Sequence, residues 1–245
     1  MSNGKTQAGF TIIETMLFLG VTGLIMSFML VGVSTQLNQR RYQDASTSLI
    51  TYMQNQYNLV SNVNNSRPDS EQCTAGQIQP TGGTQSVGMS DCTIVGRLLR
   101  STDAGKKITS VAVVATRDAA LLPLVRGDTD VKVLRDALLT TGLSPESYEP
   151  QWSTTIVQPA PNNDQPSTFS ILIVRMPTSG VIHTFVSQDE AASFNDLLND
   201  ANVVDFRLCL ESTGLLGVSS IPVGVKVNAD ASNTSGIEFV SQGGC

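Results

Sequence analysis

The chain has 245 residues, a formal net charge of −6 at pH 7 and four cysteines. This length is sufficient for one large domain or two small ones with a sizeable hydrophobic core. The negative charge provides no overall basic field, so charge alone predicts neither nucleic acid nor an anionic membrane surface as a partner.

One apolar stretch, residues 10–33, dominates the N-terminal part of the chain. A helix of about 20 residues crosses a bilayer, so this stretch is long enough to be a membrane span. The competing interpretation is a cleaved secretory signal peptide, with small residues near Gly32 and Ser34 as a cleavage site. A signal peptide has a shorter apolar segment without charge, which favours the membrane span. The polar exceptions in the stretch are Thr11, Glu14, Thr15, Thr22 and Ser27.

Glu14 is the residue in this stretch that needs an explanation. A carboxylate inside a spanning helix costs about 2 to 3 kcal/mol or more unless it lies near the interface or finds a partner. Cleavage between Gly9 and Phe10 would create an α-amine one helical turn from Glu14, near the positive end of the helix dipole. We therefore predict that Glu14 pairs with a newly formed N-terminus.

The leader "MSNGKTQAG", followed by "FTIIE" and the apolar helix, resembles the class III signal of type IV pilins and pseudopilins. The resemblance covers about the first 60 residues. It implies that a membrane-embedded prepilin peptidase cuts after Gly9 and methylates Phe10. It also implies that Glu14 pairs with an N-terminal amine during filament assembly. One departure is that Arg40 and Arg41 follow the span, so charge counting does not favour the expected orientation.

The helical pattern continues beyond the apolar stretch. No Gly or Pro occurs between Val33 and Pro68, and apolar residues recur there at three- and four-residue spacing. We expect a leader over 1–9 and one helix over 10–63, with its transmembrane part over 10–33. Its outer half is expected to pack on the head of the same chain. The expected packing stripe consists of Tyr42, Ala45, Leu49, Tyr52, Met53 and Val60.

The remaining residues, 64–245, are expected to form an extracytoplasmic α+β head domain. The segments "VDFRLCLES" and "PVGVKVNAD" alternate with period two, which is typical of a sheet with one covered face. "TFSILIVRM" and "GVIHTFVS" flank "PTSG" and predict a hairpin, and "TSVAVVAT" predicts a further strand. Short helices are predicted over 129–141, ended by Gly142, and over 188–201, opened by a Ser187 and Glu190 capping box.

The predicted fold class is therefore α+β. A long N-terminal α-helix, with its inner half transmembrane, packs on a C-terminal antiparallel β-sheet head, in agreement with the pilin resemblance.

The four cysteines are Cys73, Cys92, Cys209 and Cys245, without a CxxC motif, so a structural zinc site is poorly supported. Three disulfide pairings are possible. Sequential pairing closes both segments with the least loop entropy. Free thiols in a reducing compartment are the alternative. Pairing of Cys209, predicted to face outward from its strand, with Cys245 would resemble the C-terminal disulfide-bounded region of many pilins.

The sequence carries no recognisable catalytic motif. His183, the single histidine, lies in a predicted strand, and there is no GxSxG, Walker loop or HExxH. The segment "NADASNTSG" sets oxygen-bearing side chains at alternate positions from Asn228 to Thr234, but it lacks the bidentate glutamate of an EF-hand. We expect no enzyme activity, metal or cofactor.

The resemblance implies a structural, non-enzymatic subunit. It would be made as a precursor in the cytoplasmic membrane with its head outside, and then assembled by helix packing into a surface filament. The implied partners are a prepilin peptidase, other pilin subunits and the pilus assembly platform in the cytoplasmic membrane. A chain of this size with a divergent head suggests a minor pilin. The alternatives are a major pilin, a pseudopilin of type II secretion or competence, and a single-pass anchored binding protein or hydrolase.

Overall fold

The computed structural model describes residues 11–62, 71–74, 77–80, 92–116, 129–136, 139–162, 165–212, 223–228, 231–240 and 245. The chain divides into two compact units, Met1–Arg41 and Tyr42–Cys245, and each is described by itself. The predicted leader over 1–9, including Gly9, and the following residue Phe10 lie outside the described residues.

Three α-helices and two main antiparallel sheets are seen within the described residues. The helices are α1 Ile12–Ser61, α2 Asp130–Asp136 and α3 Phe194–Leu197. The strands are β1 Glu71–Thr74, β2 Gln77–Pro80, β3 Cys92–Thr102, β4 Lys107–Thr116, β5 Leu139–Thr141, β6 Glu146–Tyr148, β7 Thr154–Val157, β8 Ser170–Arg175, β9 Ile182–Ser187, β10 Phe206–Ser212, β11 Val223–Val227 and β12 Ile237–Val240.

The larger sheet has the order β5-β4-β3-β8-β9, with β6 also paired to β4. The smaller sheet has the order β12-β11-β10-β7, and β1 and β2 form a separate hairpin. The predicted hairpin around "PTSG" is confirmed, because β8 pairs with β9 from Ser170 opposite Ser187 to Arg175 opposite Ile182. The predicted strand "TSVAVVAT" is confirmed as part of β4.

The part of α1 that belongs to the second unit is a core element of the head. Its buried face forms one cluster with residues of both sheets, among them Leu99 and Ile171 from the larger sheet and Leu208 and Val225 from the smaller. Each fully buried aliphatic side chain contributes about 1.5 to 3 kcal/mol. The buried apolar residues of α1 are Tyr42, Ala45, Leu49, Met53, Tyr57 and Val60.

The larger sheet is covered on both faces. In β8, Ile171 and Ile173 belong to the cluster around α1. Leu172 and Val174 belong to a second cluster, which also contains Leu134 of α2 and Leu197 of α3. Alternate residues of a strand point to opposite faces, which explains why the run "ILIV" in β8 is continuously apolar. Packing of the outer half of α1 on antiparallel sheets confirms the predicted α+β class.

The helix predicted over 129–141 is shorter than expected. It ends at Asp136, and Leu139–Thr141 form strand β5 instead. Pairing with β4, with Thr141 opposite Val113, gives this segment backbone partners at the edge of the sheet. Tertiary pairing therefore overrides the local helical pattern.

The helix predicted over 188–201 is also wrong in its bounds. Ser187 is the last residue of β9 and cannot begin a helix, because it pairs with Ser170. The chain uses another capping box, in which Ser193 and Asp196 exchange hydrogen bonds at the start of the short helix α3. A 3₁₀ turn, Asp200–Asn202, follows it.

Two further strand details differ from expectation. The strand expected in "VDFRLCLES" begins later than its first residue, because Val204 precedes β10 and is 45% exposed. No strand was predicted between Cys73 and Cys92, yet β2 lies there and pairs with β1, with Cys73 opposite Ile78. This hairpin lacks the alternating apolar pattern that identifies a strand from sequence.

Candidate functional site

The apolar half of α1 presents a continuous exposed hydrophobic surface. The large apolar side chains from Ile12 to Val33 have exposed fractions between 48% and 78%. Among the described residues, α1 is the one helix long and apolar enough to cross a membrane. An exposed apolar surface of this extent requires a lipid or protein cover, because soluble proteins rarely leave such patches in water.

The hydroxyl groups within this half are compatible with an apolar cover. The hydroxyl of Thr15 donates to the carbonyl of Ile12 at 2.9 Å. In the same way, Thr22 donates to the carbonyl of Phe18 at 2.8 Å and Ser27 to that of Gly23 at 2.9 Å. Each hydroxyl is thus paired within its own helix, which removes most of the cost of placing it in hydrocarbon.

Glu14 lies in the first turn of α1 and is exposed. Its backbone N–H donates to the Thr11 carbonyl at 3.1 Å and to the Thr11 hydroxyl at 3.3 Å, so Thr11 caps the helix. Its carboxylate has no hydrogen bond or ion pair with any other described residue. The acidic group at a helix N-terminus interacts favourably with the dipole. Its predicted pairing with an amine at Phe10 stays a prediction.

Two disulfides close the head in the sequential pairing. Cys73 of β1 joins Cys92 of β3 with Cα atoms 5.9 Å apart, and Cys209 of β10 joins Cys245 with Cα atoms 5.6 Å apart. Cys209 lies on the face of β10 opposite the main core, as the alternation predicts. It is nonetheless buried, because Cys245 and Val157 cover it.

The outer half of α1 is attached to the head by polar contacts that the sequence did not reveal. The Tyr42 hydroxyl donates to the Leu210 carbonyl, and the Tyr57 hydroxyl lies 2.5 Å from that of Thr184. Burial raises the pKa of Tyr42 and raises that of Tyr57 to about 12, which keeps both hydroxyls protonated as donors.

The buried side-chain amide of Gln56, which lies between Tyr42 and Tyr57 in the sequence, provides a third attachment of α1 to the head. The Gln56 side-chain oxygen accepts from the Arg97 Nε at 3.0 Å and from the Ser110 hydroxyl at 2.7 Å. Arg97 also forms a 2.6 Å ion pair with Glu146. Gln56 is fully buried, although glutamine usually lies at the surface. Its role depends on partners distant in sequence, so no local signal could have identified it.

The weaker candidates from the sequence are not brought together into a site. His183 lies in β9, half-buried, with its ring 6.4 Å from that of Phe185. The Asn228 amide donates to Glu238 at 3.2 Å, and the Asn233 side-chain oxygen accepts from Ser235. Asp230 lies outside the described residues. Within the described part of the chain, no group of three or more His, Cys, Asp or Glu residues could hold a metal ion.

Comparison of the chain with protein-family models, with curated proteins and with solved structures finds no match.

Proposed function

We propose that this protein is a structural, non-enzymatic subunit of a type IV pilus-like surface filament, of the minor pilin kind. The supporting observation is that the two halves of α1 have different surroundings. Its first half is apolar and exposed and carries one acid, Glu14, whereas its second half is part of the core of a disulfide-linked head. A helix of this kind supports a subunit stored in a membrane and then transferred to a filament.

In this proposal the exposed apolar half of α1 is covered by lipid at one stage and by protein at the next. Lipid covers it while the subunit is stored in the cytoplasmic membrane with its head outside. The same surface packs on the helices of other pilin subunits after a prepilin peptidase cuts between Gly9 and Phe10 and the assembly platform adds the subunit. Glu14 pairs with an N-terminal amine. Burying the two charges as a pair costs less than burying either one without its partner.

Processing provides the first test. The peptidase must accommodate the residue before the cut, so the bulky substitution Gly9→Val should leave uncut precursor in the membrane. N-terminal sequencing of the wild-type protein from its host should find N-methylated Phe10. An anchored binding protein or hydrolase would not need this junction, so normal maturation of Gly9→Val would contradict the pilin proposal.

Assembly provides the second test. Removal of the Glu14 carboxylate should strand a buried amine in the filament at a cost of several kcal/mol. Glu14→Ala should therefore be cleaved normally and yet be depleted from sheared surface filaments. Cleavage is read from the shift on a gel, and incorporation from the protein recovered in filaments.

A matched control for Glu14 lies on the same helix. Asp44 is an exposed acid outside the apolar stretch, so Asp44→Ala removes the same type of charge without touching the apolar surface. We expect Asp44→Ala to enter filaments as the wild type does. Wild-type incorporation of Glu14→Ala would refute the proposed role of the charge pair.

A further inference from the structure

Two buried polar atoms at the contact between α1 and the larger sheet have no hydrogen-bond partner among the described residues. They are the hydroxyl oxygen of Tyr52 and the side-chain nitrogen of Gln56. The two residues lie four positions apart on one face of α1, so their side chains are neighbours. Buried polar groups in native proteins nearly always have a partner, either in the protein or in ordered water. These two atoms therefore require an additional partner.

The orientation of the Gln56 amide is fixed by its neighbours. Its oxygen accepts from the Arg97 Nε at 3.0 Å and from the Ser110 hydroxyl at 2.7 Å. A guanidinium has donors and no acceptor, so a reversed amide would place N–H groups against the Nε–H of Arg97. The nitrogen of Gln56 is consequently the free end of the amide, and it can only donate. Gln56 is fully buried, so bulk water cannot satisfy its N–H groups.

Tyr52 supplies a second donor beside the first. Burial raises the pKa of Tyr52 to about 12, and the nearby Ser110 hydroxyl opposes part of this rise. The Tyr52 hydroxyl is therefore protonated at neutral pH. Since Ser110 also donates to the Gln56 oxygen, the Tyr52 hydroxyl and the Gln56 amide lie around the same serine. The ring of Tyr52 is held in place by stacking on Tyr148, with centroids 4.4 Å apart.

The charges around this serine favour a neutral partner. Arg97 donates to the Ser110 hydroxyl at 3.2 Å and forms a 2.6 Å ion pair with Glu146, so its positive charge already has a counter-ion. An anion between Tyr52 and Gln56 would be buried without an opposing charge of its own, at a high cost in free energy. A water oxygen accepts two hydrogen bonds without adding a charge. Buried water molecules in globular proteins typically make about three hydrogen bonds to otherwise unsatisfied groups.

We propose that one buried water molecule binds between the Tyr52 hydroxyl and the Gln56 amide and links α1 to strand β4. The water accepts hydrogen bonds from the Gln56 nitrogen and the Tyr52 hydroxyl, and it donates to the remaining lone pair of the Ser110 oxygen. The three protein groups provide the number of partners that a buried water usually has. The site lies within the head, so it is independent of the proposed assembly into filaments.

A crystal structure of the full-length chain in detergent, at a resolution that shows ordered water, tests the site directly. We expect a density peak within about 3.2 Å of both the Tyr52 oxygen and the Gln56 nitrogen. Absence of this peak, or a direct bond from either atom to another protein group, would overturn the proposal. Crystals grown in bromide identify the ligand, because an anomalous peak at this position would show a halide and contradict the assignment to water.

A double-mutant cycle tests the same bridge in solution. Tyr52→Phe removes the hydroxyl and keeps the ring stack, and Gln56→Met removes the amide and keeps a side chain of similar length. If one water joins the two groups, loss of either group weakens the binding of the water by the other. The combined effect on the equilibrium constant of unfolding should then differ from the product of the single effects by about twofold or more. Multiplicative effects would overturn the bridge.

Tyr148→Phe is the matched control for Tyr52→Phe. The Tyr148 hydroxyl donates to that of Ser48 at 3.1 Å, so it already has a partner, although its ring belongs to the same stack. Tyr148→Phe and Gln56→Met should therefore act multiplicatively. Equal coupling of Gln56 to both tyrosines would show that packing transmits the coupling and would refute the water bridge. Neither experiment measures filaments, so failure of the water site leaves the proposed function untouched.

Discussion

At the scale of single residues, two tyrosines on the packed half of α1 have raised pKa values. Burial raises the pKa of Tyr52 and of Tyr57 to about 12, from an ordinary value of 10.0. Both lie on the packed half of α1, and the Tyr52 ring stacks on that of Tyr148 with centroids 4.4 Å apart. Ionisation of either hydroxyl would place a negative charge in the interface between α1 and the sheets.

We predict that the free energy of unfolding falls as the pH rises from about 10 to about 12. The folded-state pKa is raised, so the stabilising contribution is fully present below the unfolded value and is lost as the pH approaches the folded value. Chemical denaturation in detergent at a series of pH values measures this slope. Tyr57→Phe should reduce the slope, and at neutral pH it should cost about 0.5 to 1.5 kcal/mol through the lost contact with Thr184. An unchanged slope in Tyr57→Phe would contradict the assignment.

At the scale of secondary-structure elements, the second disulfide requires close approach to β11. Gly224 pairs with Cys209 across the β10–β11 ladder. A Cβ atom at position 224 would collide with the Cys245 sulfur and the Leu208 carbonyl and would lie 3.3 Å from the Cys209 Cα. Position 224 therefore requires a glycine, because there is no room for a Cβ atom.

We predict that Gly224→Ala lowers the free energy of unfolding by about 1 to 3 kcal/mol, the usual cost of overpacking a core. Denaturation in detergent, followed by intrinsic fluorescence, measures the change. Gly142→Ala is the matched control, since the nearest atoms to its added Cβ lie at 3.5 and 3.6 Å, an ordinary contact distance. Equal stability of the two variants would mean that the sheet adjusts to the extra methyl group.

Elements whose signal is local were predicted well from the sequence. The helix expected over 10–63 is observed as Ile12–Ser61, because a gap without Gly or Pro and an apolar stripe are properties of the segment itself. The stripe placed Tyr52 in the core, although it is partly exposed, and it omitted Tyr57 and Gln56. Tyr57 contacts Thr184 and Gln56 contacts Arg97. The spacing of residues in α1 cannot predict these partners, because they lie in distant strands.

The candidate site divides in the same way. Glu14 and the four cysteines could be selected because each is unusual in its own segment. Gln56 could not, since its partners Arg97 and Ser110 are distant from it in the sequence. The edge strand β5 was mistaken for helix because its pairing with β4 is not visible in its own residues.

At the scale of the whole molecule, the second disulfide joins the middle of strand β10 to residue 245. The Cys209–Cys245 bridge closes a segment with a sequence separation of 36, and the Ala160 N–H donates to the Cys245 carbonyl at 2.9 Å. Residue 245 is thereby joined to β10 by a covalent bond and to the segment after β7 by a hydrogen bond.

We predict that Cys245→Ser lowers the free energy of unfolding by about 2 to 4 kcal/mol, because the unfolded chain regains the freedom that the bridge removes. Peptide mapping of the non-reduced wild type should link the peptides of Cys209 and Cys245. The double variant Cys209→Ser, Cys245→Ser tests whether an unpaired thiol contributes to the loss. A map with all four thiols free would contradict the pairing.

The spacing of the attachments on α1 determines how the head resists a pulling force. Tyr42 and Tyr57 are 15 positions apart in the sequence, about 22 Å along the helix, and Gln56 lies beside Tyr57. A force applied along α1 from its Tyr42 end acts parallel to the surface between helix and sheets. These contacts, together with the buried apolar face, then share the load and must yield together. Peeling α1 away sideways would break them one after another, so the head is mechanically strongest along the axis of its own helix.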